Sequence, residues 1–439
     1  MSPDLDPTLF EILRHRLWQI TDEMAITLKR VSGSPSVTQV NDFMVSLFTP
    51  TGDILSGGWG VQWHITSASA ACKYIARKFA GHIEEGDTYL LNDPYIAAIH
   101  QPDMYLISPI HYEGRLVAWC ANFVHVTDVG AIDPGGFSPR ATSVFHEGLR
   151  FKGVKLVEGG SLREDLFESI VGMTREPGMV ALDLRSQIAA NNVARGRMQQ
   201  LYGKYGEATV QSAMRSLISY SEDALRRRLG ELPDGTWRAK QYLDISDEIY
   251  EIRLAMTKSG NSLSFDFDGT SAQSPRGLNC TYWGALGGTM GAVFSLLCFD
   301  LPLNEGCIKP VQVQAPKGSV VNCEYPAPVS ISTVGATISA ANAAMITISK
   351  MLNASDQYHE ELMAVGNACS CVVRHAGWNQ EGSYYVSGLW DWLAGSCGAR
   401  SLSWQSPGWR QMMDTPPDWQ GVPPGVQSSI RPMAPILKY

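Results

Sequence analysis

The chain has 439 residues, 44% of them hydrophobic and 18% charged, a globular balance with enough apolar mass for a sizeable core. Length alone allows about three domains, or two large ones. The 35 basic and 43 acidic side chains leave a formal charge of −8, which argues against a nucleic-acid binder, and the basic run Arg226-Arg227-Arg228 reads as a solvated helix face.

The chain opens with a clear helix. Asp6 can cap it and Pro7 fits its first position. Leu9, Phe10, Ile12, Leu13, Leu17, Ile20, Met24 and Leu28 mark an apolar stripe that runs to about Arg30 and stops at Ser32-Gly33-Ser34-Pro35. From Val37 to about Leu156 the texture changes to short strands: Phe43–Phe48, Ile54-Leu55, Tyr89–Leu91, and a pair, Met104–Ile110 and Leu116–Val126, joined around Glu113-Gly114. A helix at about Ser67–Phe79 interrupts them. Residues 162 to about 231 are helical, with Ile188–Tyr202 and Glu207–Leu229 the strongest segments. After the Pro233-Asp234-Gly235-Thr236 turn come strands at Ile249–Thr257 and Ser262–Asp268. Helices and strands then alternate from Thr281 to about Gly398.

The fold class that follows is mixed α+β and multi-layered. Residues 1–160 form a strand-rich region, 161–236 a helical segment, 237–400 a second α/β region, and 401–439 a tail rich in proline and tryptophan. No membrane span is expected. The best candidate, Gly277 to Phe299, holds five glycines with Asn279, Thr281 and Ser295, and reads as a buried, glycine-rich core segment. The first residues, MSPDLDPTLF, lack the basic start and apolar run of a signal peptide. Nine scattered cysteines form no paired framework, so the expected setting is a reducing, cytoplasmic one.

Several catalytic devices are absent: no G-x-x-x-x-G-K-[ST] phosphate loop, no G-x-G-x-x-G fingerprint, no G-x-S-x-G elbow. The chain does carry the spacing H-x-x-D twice, as His100-Gln101-Pro102-Asp103 and His125-Val126-Thr127-Asp128, each at the end of a predicted strand. Neighbouring strands can bring both histidines together. Imidazole nitrogens and carboxylate oxygens suit Zn, Mn or Fe, and Asp42 can add a carboxylate. Local capping by His and Asp near turns is the competing account of the same residues. His64 reads as a satisfied core histidine and His146-Glu147 as a surface pair. Cys369 and Cys371 read as alternating strand residues, and Asn191-Asn192 as a structural polar contact inside a helix.

Motifs in a fixed order extend this reading. They are Asn41-Asp42-Phe43, Gly86-Asp87-Thr88-Tyr89-Leu90-Leu91-Asn92-Asp93-Pro94-Tyr95, His100-Gln101-Pro102-Asp103, Asn122-Phe123-Val124-His125 with Asp128-Val129-Gly130, and Glu147-Gly148-Leu149-Arg150. Gln187-Ile188-Ala189-Ala190-Asn191, Leu232-Pro233-Asp234-Gly235, Phe267-Asp268-Gly269-Thr270 and Asn304-Glu305-Gly306-Cys307 follow. From about Asp6 to Arg400 the chain resembles the hydantoinase B/oxoprolinase family, the subunit type shared by ATP-dependent hydantoinases, 5-oxoprolinase, caprolactamase and the acetone and acetophenone carboxylases. Ala97-Ala98-Ile99 stands where the family commonly has Gly-Gly-Thr, and His125-Val126 where it commonly has a His-His pair. No match is seen from about Ser401.

The resemblance implies a divalent metal, Zn or Mn, on Asp42, His100, Asp103 and His125; Asp128, from its place after His125, is a further candidate for orienting that histidine or acting as a general base. It also implies that a separate hydantoinase A-type, actin-like subunit binds ATP and phosphorylates the substrate, so the expected state is a hetero-oligomer acting on a small-molecule cyclic amide or ketone. The activity so implied is that of the metal-bearing subunit of an ATP-dependent amidohydrolase, opening a hydantoin, 5-oxoproline or lactam ring through a phosphorylated intermediate. Phosphorylation makes a poor amide electrophile reactive, and water whose pKa a metal lowers towards about 7 can attack it. The alternatives are a ketone carboxylase subunit, to which Asn279-Cys280-Thr281-Tyr282-Trp283 and Val321-Asn322-Cys323 look closer, and a truncated subunit that only scaffolds its partner.

Overall fold

A computed structural model describes residues 6–245, 247–358 and 373–389. Helix α1 (Pro7–Val31) starts as its sequence dictates, with the Asp6 carboxylate accepting from Leu9 N at 3.0 Å and Pro7 in the first turn. Phe10, Leu13, Leu17, Ile20, Met24 and Leu28 are buried, whereas Ile12 lies off the stripe and is 42% exposed. The chain leaves the helix at Ser32, and Pro35 opens a one-turn helix α2 (Pro35–Thr38).

A seven-stranded antiparallel sheet follows, built from β1 (Phe43–Phe48), β2 (Ile54–Gly60), β3 (Thr88–Leu91), β4 (Asp103–Tyr112), β5 (Arg115–His125), β6 (Lys152–Glu158) and β7 (Ser161–Leu162). Its order is β2-β1-β5-β4-β3-β6-β7. Glu113 and Gly114 both take positive φ, 49° and 74°, the geometry a tight hairpin between β4 and β5 asks for. The two-residue period of a strand gives each face its own core. Phe43, Val45 and Leu47 join α1 and the helical segment, while Met44, Phe48, Tyr105 and Phe123 face α3 (His64–Lys78). That helix begins at His64, ahead of the expected Ser67.

The helical segment holds α4 (Glu164–Gly172), α5 (Pro177–Tyr205) and α6 (Glu207–Glu231). Helix α5 lies along β4 and β5 and carries buried Asp183, Gln187 and Asn191 four residues apart. Gln187 Nε2 donates to Met104 O at 2.7 Å, and Asn191 Nδ2 donates to Leu106 O at 3.1 Å. Four helical residues rise about 6 Å and two strand residues about 6.8 Å, so one polar stripe keeps pace with alternate carbonyls of β4. Asn122 Nδ2 closes the clamp on Asn191 Oδ1 at 2.8 Å. Asn191 is thus the structural contact its sequence position predicted.

The second sheet consists of β8 (Gly235–Ile245), β9 (Glu248–Ser259), β10 (Ser262–Asp266) and β11 (Val311–Gln314), in the order β11-β10-β9-β8 with β10 and β11 parallel. Between the two sheets lie α7 (Tyr282–Leu297) and α9 (Ala336–Asn353), with the single turn α8 (Glu305–Ile308) at the side. Helix α7 is the glycine-rich segment, buried on nearly all sides. Its glycines allow close approach: a Cβ on Gly287 would lie 2.5 Å from Trp63 O, and one on Gly288 2.4 Å from Thr337 O. Among the described residues no helix is long and apolar enough to cross a membrane. Ile65, Tyr105 and Phe123 of the first region share one core with Ile252, Phe265 and Val293 of the second. A hairpin of β12 (Val373–Trp378) and β13 (Tyr384–Leu389) completes the described fold. Cys369, Cys371 and the 401–439 tail lie outside the described residues.

Candidate metal centre

Strand register builds the site. Asp103 at the start of β4 faces His125 at the end of β5. On the other side of β5, Val124 faces Phe43, and His125 N donates to Asp42 O at 3.1 Å. Three neighbouring strands therefore end at one level, with Asp103, His125 and Asp42 in a row. His100 arrives from the preceding loop. The Asp93 carbonyl accepts from Ile96, Ala97 and Ala98 N. Asn92 Nδ2 donates to Gln101 O at 2.7 Å and to Leu149 O at 3.0 Å. Ala97, Ala98 and Ile99 are buried in the main core and carry His100 inward with them.

The ligand atoms converge. His100 Nε2 is 3.2 Å from Asp103 Oδ1 and 3.2 Å from His125 Nδ1, and His125 Nδ1 is 3.4 Å from Asp103 Oδ1. All three side chains are buried, and the three atoms lie within 4.8 Å of one another. A divalent ion with ligand bonds near 2.0–2.1 Å in a tetrahedron sets its ligands about 3.3–3.4 Å apart, so the triangle has the edge lengths of a coordination shell. Asp103 Oδ1 is a buried carboxylate oxygen without a hydrogen-bond donor, a costly arrangement for protein alone. His100 Nδ1 lies 2.7 Å from Ser330 O. A carbonyl can only accept, so Nδ1 carries the proton and Nε2 keeps its lone pair for a ligand. Asp42 stands at the edge, Oδ2 3.8 Å from His125 Nδ1, with its side chain 25% exposed. The residues present fit a divalent metal.

Electrostatics follow from burial and pairing. Burial alone would raise the Asp103 carboxyl, but the neighbouring imidazoles of His100, His64 and His125 hold it far below the usual carboxylate range. Burial lowers the His100 imidazole, and Asp103 more than restores it, leaving it raised. His64 is pushed down to about 4, chiefly by burial, against a partial pull from Asp103.

Several side chains stand differently from their sequence expectation. His64 is a buried histidine, yet it belongs to the surroundings of the site: its ring stacks on Phe123 at 3.6 Å and Nδ1 lies 2.6 Å from Tyr105 Oη and 3.7 Å from Asp103 Oδ2. Glu147 is not half of a surface pair. It is fully buried, accepting from Ser330 N at 2.6 Å, Val329 N at 2.7 Å and Gln101 Nε2 at 3.0 Å, and burial keeps its carboxyl above the ordinary range despite these donors. Asp128 turns to its own loop and not to His125. Its carboxylate accepts from Gly130 N, Gly135 N, Arg175 N and Arg175 Nη1 at 2.8–3.1 Å. Four donors fill the roughly four lone-pair positions of a carboxylate, so Asp128 ties a loop and has no lone pair for base catalysis. The phenyl ring of Phe137 caps the cluster, its centroid 5.4 Å from the rings of both His100 and His125.

Comparisons with known proteins agree with this architecture. The family described as hydantoinase B/oxoprolinase matches residues 6–419. An uncharacterized protein of Methanocaldococcus jannaschii is 30% identical over 333 residues, covering 75% of this chain and 59% of its own length. The acetophenone carboxylase delta subunit of Aromatoleum aromaticum is 27% identical over 395 residues, 89% of this chain and 57% of its own. The chain thus spans somewhat over half the length of these two relatives. The crystal structure of the ATP-dependent caprolactamase from Pseudomonas jessenii superimposes with a TM-score of 0.83 at 24% identity, over 90% of this chain and 70% of that one; it shares the fold.

Proposed function

We propose that this chain, which belongs to the hydantoinase B/oxoprolinase family, is the metal-bearing catalytic subunit of an ATP-dependent amidohydrolase that opens a cyclic amide after a partner subunit has phosphorylated it. The observation that carries the reading is the buried triangle of His100 Nε2, Asp103 Oδ1 and His125 Nδ1, with edges of 3.2–3.4 Å. These three residues, with Asp42, would hold Zn or Mn. The ion supplies Lewis acidity towards an oxygen of substrate or water. The surrounding residues hold that arrangement ready. Glu147 holds the N–H of Ser330, and the carbonyl of the same residue keeps the His100 proton on Nδ1. His100 N faces the far carboxylate oxygen of Asp103 at 3.4 Å, and His64 lies on the same side. Phe137 keeps water off one side, and partly exposed Asp42 marks the open one. On the family resemblance, ATP would be bound by a separate hydantoinase A-type partner; this sequence carries no G-x-x-x-x-G-K-[ST] phosphate loop.

A second reading, a ketone carboxylase subunit, is supported by the acetophenone carboxylase relative, which aligns with 89% of this chain. One set of measurements separates the readings. Protein purified without chelator, alone and assembled with its partner, is analysed for metal and assayed for ATP use with and without bicarbonate. About one Zn or Mn per chain, lost in His125→Ala, with bicarbonate-independent ring opening, supports the amidohydrolase. ATP use that needs bicarbonate and a ketone selects the carboxylase. Metal binding without turnover in the assembled complex selects a scaffold, and well-folded protein that takes up no metal overturns the metal centre.

A further inference from the structure

Next to the metal centre a file of three buried serines runs through the interior. Ser36 Oγ donates to His125 O at 2.8 Å. Ser34 Oγ is 3.0 Å from Ser36 Oγ, Ser34 N donates to Ser32 Oγ at 3.2 Å, and Ser32 Oγ donates to Asp183 Oδ1 at 2.6 Å. All four side chains are buried. The directions of these bonds are fixed by counting hydrogens. Each hydroxyl has one. That of Ser36 goes to a carbonyl, which cannot return it, so Ser36 Oγ accepts from Ser34, and the Ser32 hydrogen goes to Asp183.

The same segment holds the second ligand strand. Asp42 N donates to Ser36 O at 2.8 Å, and His125 N in turn donates to Asp42 O at 3.1 Å. Between them Asn41 takes φ 61°, a left-handed turn that asparagine adopts more readily than most residues, and its Oδ1 accepts from Lys29 Nζ. Ser36 thus grips the backbone of Asp42 with its carbonyl and that of His125 with its hydroxyl. Asp183, at the far end, sits on the stripe of α5 whose next two members, Gln187 and Asn191, hold β4. The helix that registers the strand of Asp103 also anchors the loop that sets Asp42 and His125.

We infer that Ser32, Ser34 and Ser36, anchored on Asp183, are positioning residues that fix the spacing of His125 and Asp42 against Asp103, and with it the affinity of the centre for its metal. The inference rests on the metal reading above. Groups that orient ligands in this way typically change metal affinity by about 10–100-fold when removed.

The test is competition for Zn(II) between the full chain and a chromophoric chelator, with thermal melting of the metal-free protein alongside. Ser36→Ala should weaken Zn affinity about 10–100-fold, Ser36→Thr, which keeps the hydroxyl, should restore most of it, and Ser34→Ala, one step removed, should fall between. If Ser36→Ala does not fold, Ser34→Ala carries the test. A lower metal-free melting temperature with Zn affinity within about twofold of wild type in the folded variants overturns the positioning role and leaves the metal centre standing. Wild type that takes up neither Zn nor Mn overturns the centre, and this inference falls with it.

Discussion

Glu147 Oε1 accepts from Ser330 N at 2.6 Å while Ser330 O takes the Nδ1 proton of His100 at 2.7 Å. One buried carboxylate thus anchors the residue whose carbonyl sets the tautomer of His100. Glu147→Ala orphans the amides of Val329 and Ser330 and the Gln101 side chain in a dry interior, which should cost roughly 3–5 kcal/mol of stability. Glu147→Gln keeps an oxygen for both amides and should cost about 1 kcal/mol. Urea melts check both values; equal losses in the two variants would show that the two amides do not depend on this oxygen.

Asp183 offers a pH-dependent reading of the serine file. Burial raises its carboxyl from 3.8 to about 6, against the hydrogen bonds of Ser32 and Ser34. The folded chain therefore holds this proton more tightly than the unfolded one. The stability it lends is fully present below pH about 4 and is lost as pH climbs through about 6, at most about 3 kcal/mol in all. Asp183→Asn still accepts from Ser32 but cannot ionise. Relative to wild type it should gain stability between pH 4 and 7, and parallel stability–pH curves for the two proteins would contradict this.

Two helix-interior glycines should respond to alanine with opposite signs. Around Gly196 in α5 a new Cβ meets nothing within 4 Å, whereas on Gly288 in α7 it lies 2.4 Å from Thr337 O and 3.3 Å from Ala341 N. The propensity gain, about 0.5–1 kcal/mol, is common to both. Gly196→Ala should therefore stabilise by about that amount. Gly288→Ala forces α7 and α9 apart and should show a net loss of roughly 1–3 kcal/mol. Chemical denaturation reads the sign directly, and stabilisation at Gly288 would mean that α7 and α9 pack more loosely than described.

The sequence made these elements readable wherever local pattern and tertiary need coincide. The stripe of α1 shows in residue spacing because it buries the face its period defines, the Glu113-Gly114 hairpin shows in its turn residues, and α7 shows in the glycines that burial on nearly all sides requires. His100 and Asp103 show in the sequence as one H-x-x-D and His125 as the head of a second, and the register of β4 on β5 then sets Asp103 opposite His125. Glu147 was not visible. Its partners Val329 and Ser330 lie more than 180 residues away, and nothing local separates a buried carboxylate from one beside exposed His146. Asp128 had the right spacing, but Arg175, brought in by the turn before α5, claimed its oxygens. Ser32-Gly33-Ser34-Pro35 read only as a helix breaker, because a hydrogen-bonded file is a property of the packed chain and not of a tetrapeptide.

Asp103 is the member of the centre on which the others converge, so its charge can be tested apart from its shape. Asp103→Asn keeps an oxygen opposite His100 and His125 but removes the anion that a divalent metal requires. Without metal the change should be mild. With the Asp103 charge gone, burial favours the neutral His100 imidazole, so no buried cation is left uncompensated, and a desolvated carboxylate has been removed. With metal the two proteins should part. A ligand present at 100 times its dissociation constant stabilises the fold by about 2.7 kcal/mol, and that increment should appear in wild type and vanish in Asp103→Asn. Melting both proteins at pH 8 with and without Zn(II) reads the difference. An equal rise in both would place bound Zn elsewhere on the surface, whereas a rise confined to wild type ties the increment to the triangle of His100, Asp103 and His125.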